Sequence, residues 1–381
     1  MVNKTQLPEG IPPLSTYYLY ITGSCNLACR HCWISPKFLG MTEVDDGTAS
    51  LPFDLYEAAI LEGEPLGLNH IKFTGGEPFV HPQVERMLSY AYERHLGASI
   101  ETNGTLINET RARFLQEKTS VTFISVSLDG ASSATHDYLR GVPGSFARAQ
   151  EGVKHLVNAG FHPQIIMSLY EDNVCEIETL ALWATSIGCS SLKLNIIQDI
   201  GRGGKLINRL HGVERLIDLG YDIERTLQSR VSIPIYYTWP PAFKKLSQLE
   251  STGGCDSCNI HNILGVLNNG YVSMCGIGDQ ENALIYGLIG RNSIADIWIN
   301  NPILKELRSK IPYRLEGVCN ACLLRDTCMG FCPAANYWQT KNLCAPFWLC
   351  RDADDLQLFP EMRKRVNNLH GSERKTNHAK N

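Results

Sequence analysis

The sequence predicts an α/β protein, an open six-stranded parallel (β/α) barrel followed by a small cysteine-rich domain. Three observations carry that expectation. Six apolar, β-branched or aromatic runs alternate with amphipathic stretches between residues 17 and 196. Turn residues close almost every run. The 14 cysteines avoid residues 33–254 almost entirely and gather on the two flanks of that stretch. Alternation of this kind implies βαβ units and a parallel sheet.

The elements follow in order. Tyr17–Thr22 is the first strand, ending just before a cysteine loop. Pro52–Leu61 is a helix, with Phe53, Leu55, Tyr56, Ala59 and Ile60 near helical spacing. His70–Thr74 is the second strand, Val84–Leu96 a helix, Ser99–Thr102 the third strand and Arg111–Lys118 a helix. Val121–Leu128 is the fourth strand. Phe146–Ala159 is a helix closed by Gly160. Gln164–Leu169 is the fifth strand, Ile177–Ser186 a helix ending near Gly188, and Ser191–Ile196 the sixth strand. Arg209–Arg230 reads as helical. Ser232–Trp239 reads as a short apolar strand stopped by Pro240-Pro241, and together these bridge to the cysteine-rich region. Gly201-Arg202-Gly203-Gly204-Lys205 lacks the spacing of a phosphate loop and reads as a flexible loop after the sixth strand.

Composition narrows the function. The chain has 381 residues, 44% hydrophobic and 19% charged, ample for a buried core. A net charge of -4 argues against nucleic acid as the main partner. No run of about 18 apolar residues suggests a membrane span, and the first ten residues lack an apolar export signal. A cytoplasmic, reducing compartment is expected, so the cysteines read as metal ligands or reactive thiols, not as bridges.

Their spacing sharpens this. Cys25, Cys29 and Cys32 form C-x3-C-x2-C, suited to an iron–sulfur cube with one iron left open. Structural zinc is the alternative, but it wants a fourth ligand, and His31 is the only neighbour to offer one. Trp33 follows directly. Thr74-Gly75-Gly76-Glu77-Pro78, Glu101-Thr102-Asn103-Gly104, Ser127-Leu128-Asp129-Gly130 and His136-Asp137-Tyr138-Leu139-Arg140-Gly141 come next. Most of them fall at predicted strand ends, the edge where barrels of this type carry their chemistry. On these residues the chain resembles the radical S-adenosylmethionine (radical SAM) superfamily, from about residue 17 to 350, and the resemblance implies a partial (β/α)6 TIM-like barrel.

Further along stand Cys255, Cys258, Gly270 and Cys275, then Cys319-x2-Cys322-x5-Cys328-x3-Cys332, then Cys350. This pattern resembles the SPASM extension of that superfamily, with a zinc ribbon as the alternative for such spacing. The resemblance implies a layout of 14–205 barrel, 206–250 bridge, 251–360 SPASM domain and 361–381 flexible basic tail. It implies three [4Fe-4S] clusters. One is held by Cys25, Cys29 and Cys32 and binds S-adenosylmethionine. The second is held by Cys255, Cys258, Cys275 and Cys332, and the third by Cys319, Cys322, Cys328 and Cys350, with Cys344 as a rival to Cys350. Cys175 and Cys189 remain as buried small hydrophobes.

Expected cofactor contacts are Trp33 beside the loop, Gly75 and Gly76 for close backbone approach, and Glu77 on the methionyl ammonium. Glu101 is expected on ribose hydroxyls, and Ser127 and Arg140 on the carboxylate. The implied reaction is reductive cleavage of S-adenosylmethionine to a 5′-deoxyadenosyl radical, then hydrogen abstraction from a substrate. SPASM-bearing members act mostly on peptides, so the expected substrate is a small ribosomally made peptide. A flavodoxin or ferredoxin is the expected electron donor. Only some sixteen residues precede the first strand, so a separate leader-recognition protein is expected. Alternatives are tetrapyrrole or quinone-cofactor biosynthesis and anaerobic sulfatase maturation. Sulfatase-maturing members carry an acid directly after the cysteine equivalent to Cys275, where this chain has Gly276, and Asp279 is the candidate base. The Cys-His-Trp start and the Ala345–Cys350 ending also resemble maturases of the SynChlorMet cassette. An electron carrier without catalysis is the alternative from another class.

Overall fold

The computed structural model describes residues 6–41, 45–209, 211–251 and 258–365. Strands and helices alternate from β1 (Thr16–Tyr20) through α1 (Phe53–Gly63), β2 (His70–Thr74), α2 (Val84–Glu93), β3 (Gly97–Thr102) and α3 (Glu109–Lys118). They continue with β4 (Val121–Ser127), α4 (Ser133–Arg140), α5 (Ser145–Asn158), β5 (Gln164–Leu169), α6 (Ile177–Ile187), β6 (Ser191–Ile196), α7 (Val213–Arg225) and β7 (Ile235–Thr238). The six expected strands all form, and each pairs in parallel with the next in the chain. Helix α4 is an addition to the sequence reading. Ser132 caps it by accepting from Thr135 N, so a segment read only as a motif is a helix of eight residues.

The sheet is longer than six strands at both ends. β7, expected as a bridge, pairs in parallel with β6. On the other side, β8 (Ile263–Leu267) pairs in parallel with β1 from Thr16↔Ile263 to Tyr20↔Leu267. β9 (Tyr271–Ser273) and β10 (Ile285–Leu288) continue antiparallel. The ten-stranded order is β10-β9-β8-β1-β2-β3-β4-β5-β6-β7. The cysteine-rich region therefore adds to the barrel sheet instead of standing apart from it. The reason is local: all five residues of β8 are buried, and an apolar run buried on both faces belongs inside a parallel sheet.

The main hydrophobic core spans both parts. Tyr17, Phe73 and Met167 of the barrel cluster with Ile263, Trp298, Leu304 and Leu349 of the C-terminal part. Trp298 also donates from Nε1 to Pro12 O at 2.8 Å, tying the N-terminal segment to the C-terminal half. The start of the expected flexible tail is docked. Arg363 donates to Lys244 O at 2.8 Å, Arg365 N to Ala321 O at 2.7 Å, and Lys364 pairs with Asp354 at 2.9 Å. The remaining tail, 366–381, lies outside the described residues. Cys189 is buried as expected, whereas Cys175 is exposed, its Sγ directed at Asp172 O. No helix among the described residues is long and apolar enough to cross a membrane.

Candidate active site

The loop after β1 carries Cys25, Cys29 and Cys32, and three neighbouring segments shape it. Ser24–Cys25 pairs with Lys37–Phe38. Ala28 N and Arg30 N donate to Arg140 O and Leu139 O, at 3.1 and 2.8 Å, in the last turn of α4. The buried Asn26 donates to Thr105 Oγ1 at 2.8 Å and accepts from Asn103 Nδ2 at 2.8 Å. All three thiols line one cavity of about 220 Å³, walled also by Trp33, Gly75, Gly76, Glu101, Asn103, Ser127, Arg140 and Arg202. Burial pushes the Cys25 thiol well up, and the charges of Cys29 and Glu77 add to this. Burial also raises Cys29, against the pull of Arg140. Donors point at the sulfurs: Leu27 N at 3.4 Å and Asn103 Nδ2 at 3.9 Å from Cys25 Sγ, Arg140 Nη1 at 3.6 Å from Cys29 Sγ.

The structure revises several expected contacts. Gly75 and Gly76 do line the cavity, but their tight side is the protein itself. A Cβ on Gly76 would overlap Ser24 O, and one on Gly75 (φ +118°) would lie 3.0 Å from Thr22 O. The two glycines let the β2 end pack on the backbone before Cys25. Glu77 does not line the cavity. It is 1% exposed, and its carboxylate accepts from Thr102 Oγ1 and Asn103 N at 2.7 Å each and from Phe79 N at 3.2 Å. It braces the β2 end against the β3 end. Arg140 is committed as well. Its Nε lies 2.6 Å from Asp129 Oδ2, and Asp129 Oδ1 accepts from Ser168 N at 2.8 Å. Glu101 lines the cavity, ion-paired with Lys72 at 2.5 Å and accepting from Thr74 at 3.0 Å. Burial works to raise its carboxyl, but Lys72 outweighs that and holds it below the usual range. Trp33 and Ser127 stand on the cavity wall, and Trp33 packs edge-on against Tyr20 at 6.1 Å.

A second cavity, of about 310 Å³, shares His31, Trp33, Ser168 and Asn195 with the first. Its far wall holds Cys275 and Cys332 beside Ile277, Phe331, Ala335 and Phe347, and no Asp, Glu, Lys or Arg is among the described lining residues. Cys258 lies close enough for its charge to couple with both thiols. Cys255 lies outside the described residues. Burial pushes Cys275 up to about 12. A third, small cavity gathers Cys319, Cys322, Cys328 and Cys350. Burial and the charges of Cys319, Cys328 and Cys322 push Cys350 well up. Cys344 stands elsewhere, among Lys310, Glu316 and Glu306. Asp279, the candidate base, is exposed and lines neither of the first two cavities. The turn Gly276–Asp279 after Cys275 buries its apolar residues and leaves the acid at the surface.

Sequence reasoning missed Asn26, Asn103, Asp129 and Arg202, and weighed His31 only as a zinc ligand. Asn103 sat inside a recognised turn and Asp129 inside a recognised tetrapeptide, but their partners are long-range. Arg202 sat in a loop that glycine content marked as flexible. Yet Arg202 N donates to Cys32 O at 2.9 Å, and Gly201 packs on the Trp33 carbonyl.

Residues 19–184 match the Radical SAM superfamily, and residues 253–323 match the SPASM iron–sulfur cluster-binding domain. The antilisterial bacteriocin subtilosin biosynthesis protein AlbA of Bacillus subtilis is 26% identical over 343 residues, covering 85% of this chain and 69% of AlbA. An AdoMet-dependent heme synthase of Nitratidesulfovibrio vulgaris is 26% identical over 361 residues, covering 90% and 94%. In fold, the chain superposes on Streptococcus suis SuiB bound to precursor peptide SuiA. The TM-score is 0.70 at 18% identity, covering 90% of this chain and 76% of that one. With the strand-end motifs around three thiols and the thiol-rich extension on the same sheet, the chain belongs to the radical SAM superfamily, carries a SPASM domain, and is an enzyme that uses S-adenosylmethionine and iron–sulfur clusters.

Proposed function

We propose that this enzyme modifies a ribosomally made peptide by hydrogen abstraction. The observation that carries the reading is the second cavity. It opens off the cavity of Cys25, Cys29 and Cys32, reaches Cys275 and Cys332, and has no charged side chain other than its thiols and His31 among the described lining residues. An apolar peptide side chain fits such a lining. A tetrapyrrole, with its several carboxylates, asks for the cationic partners that are missing there. The names of AlbA and of the SuiB complex support the peptide reading, and the heme synthase relative supports the tetrapyrrole alternative. Sulfatase maturation is disfavoured on sterics as well. A Cβ at Gly276 would lie 2.5 Å from Tyr20 Cζ and 2.9 Å from Trp33 Cη2, so no acid fits beside Cys275.

The donor set fits the clusters. Three thiols share one cavity, and nitrogen donors are aimed at the buried sulfurs of Cys25 and Cys29, which favours thiolates. Four more thiols share the third, small cavity. Together with S-adenosylmethionine, the first cluster supplies one-electron cleavage of a sulfonium bond and a carbon radical able to abstract hydrogen. The chain supplies the rest. Cys25, Cys29 and Cys32 hold that cluster, Glu101 faces the ribose hydroxyls of the bound S-adenosylmethionine, and Ser127 its methionyl carboxylate. Trp33 and the apolar second cavity exclude water from the reacting carbon. Cys258, Cys275 and Cys332 with Cys255, and Cys319, Cys322, Cys328 and Cys350, hold two auxiliary clusters, making three in all. The layout we infer is a barrel over 14–205, a connecting segment over 206–250 that contributes β7, and a SPASM domain over 251–360. A one-electron donor such as a flavodoxin or ferredoxin and a separate leader-recognition protein complete the reading.

The test is co-expression with short peptides encoded beside the gene, followed by mass analysis, alongside assay of 5′-deoxyadenosine from anaerobically reconstituted protein. A mass change on one peptide, dependent on Cys25, is expected. Release of 5′-deoxyadenosine only with a porphyrin substrate would replace the peptide reading. No release with any substrate would leave an electron carrier.

A further inference from the structure

Two arginines line the cavity of Cys25, Cys29 and Cys32, and their guanidinium groups stand in different situations. Arg140 is engaged by Asp129 at 2.6 Å and by Cys29 Sγ at 3.6 Å. Arg202 is half-buried and has no ion pair among the described residues. Its Nε and Nη2 are buried and have no hydrogen-bond partner among the described residues. A buried cation without a partner is costly, and a native fold keeps one where something outside the fold completes it. Its own segment does not leave it free to swing away. Arg202 N donates to Cys32 O at 2.9 Å and Gly203 N to Ile200 O at 3.1 Å. A Cβ on Gly201 would lie 2.9 Å from Cys32 O and nearer still to Trp33 O. This stretch is a fitted wall of the cavity.

The cavity offers Arg202 no anion of its own. Glu101 is the one carboxylate among the described lining residues, and Lys72 and Thr74 hold it. The missing partner is thus a ligand's anion, and a guanidinium fork fits a carboxylate in particular. We propose that Arg202 is the positioning residue for the methionyl carboxylate of S-adenosylmethionine, the role the sequence suggested for Arg140. This rests on the reading that S-adenosylmethionine binds in this cavity.

The experiment measures equilibrium dialysis of anaerobically reconstituted full-length protein, without reductant, against S-adenosylmethionine and its decarboxylated analogue. The two ligands differ only in the carboxylate. Charge-assisted hydrogen bonds of this type correspond to about a ten- to hundred-fold effect. The wild type is expected to prefer S-adenosylmethionine. Arg202→Gln is expected to cut that preference by about ten- to hundred-fold while leaving the affinity for the analogue and the iron content unchanged. Arg202→Lys, which keeps the charge without the fork, is expected to fall between them and guards against a Gln variant that fails to fold. An undiminished preference in Arg202→Gln overturns the proposal, and so does an equal loss for both ligands, the mark of a merely structural wall. Failure of the wild type to bind either ligand instead refutes the reading of the cavity itself.

Discussion

Substituting Glu77 separates bracing from ligand binding. Oε1 of Glu77 accepts from Thr102 Oγ1 and Phe79 N, and Oε2 from Asn103 N. Burial raises its carboxyl, and these three donors pull it back. Glu77→Gln keeps one oxygen and turns the other into an amide NH2. Facing Thr102 and Phe79, the remaining oxygen keeps two bonds and sets the NH2 against Asn103 N–H. Asn103 N–H and the new NH2 are then both buried donors without an acceptor, which costs about 2–6 kcal/mol. Glu77→Ala leaves all three donors without an acceptor, roughly 3–9 kcal/mol. That is comparable with the whole stability of a typical domain, about 5–15 kcal/mol. The assays are the urea midpoint and the S-adenosylmethionine affinity of each variant, both anaerobic. Glu77→Gln is expected to lower the midpoint, and Glu77→Ala to yield little folded protein. If Glu77→Gln keeps the wild-type midpoint yet loses S-adenosylmethionine affinity tenfold or more, the carboxylate acts on the ligand and the bracing argument is wrong.

Two further outcomes follow from the geometry. Cys350→Ser is expected to lose about four irons per chain from a wild-type content of about twelve, and Cys344→Ser none, because Cys350 alone of the two stands with Cys319, Cys322 and Cys328; an anaerobic iron assay on both variants checks it. His136 is buried, and burial followed by the charge of Arg140 lowers its pKa from 6.5 to about 4, while its Nδ1 accepts from Asp129 N. The unfolded chain therefore takes up this proton first, and stability falls as pH drops from 6.5 toward 4, by about 1.4 kcal/mol per pH unit within that window. Urea midpoints between pH 6.5 and 5.5 are expected to fall by one proton's worth less in His136→Asn, whose side-chain oxygen can take the place of Nδ1; equal slopes in the two proteins would remove His136 from the acid sensitivity.

The barrel was legible because its signals are local. The runs His70–Thr74, Gln164–Leu169 and Ser191–Ile196 appear as strands with unchanged ends. Alternating apolar pattern and glycine stops suffice for such elements. The family resemblance likewise set Cys350 ahead of Cys344 as the partner of Cys319, and Cys350 and Cys319 line one cavity. What the sequence withheld depends on partners far away in the chain. Glu77 turned inward because Thr102 and Asn103 stand 25 and 26 residues on. Arg140 faced Asp129 and a sulfur 111 residues earlier. The glycines around Arg202 were read as flexibility, although Gly201 is there to let the chain press on the Trp33 and Cys32 carbonyls. Glycine content reports room for the backbone, and only the neighbours tell whether that room is used for motion or for contact.

The pairing of β8 with β1 has the largest functional consequence. A cysteine-rich domain on a linker would be free to move against the barrel. Here five register pairs join the two halves from Thr16↔Ile263 to Tyr20↔Leu267. β1 leads into the loop of Cys25, while β8 and β9 lead to Cys275, and Gly276 presses on the ring of Tyr20. The distance between the barrel thiols and the Cys275–Cys332 pair is thus set by strand hydrogen bonds rather than by docking. The apolar cavity between them inherits that fixed width, with Trp33 held at one side by Tyr20 and Phe331 packed against Phe347 at the other. A charged side chain entering it gives up its water and meets no opposite charge among the described lining residues, which costs several kcal/mol. An apolar one gains from the same burial, at about 25 cal/mol per Å². Selection of the reacting residue is then a property of the sheet that joins the two halves, because that sheet fixes the width of the cavity.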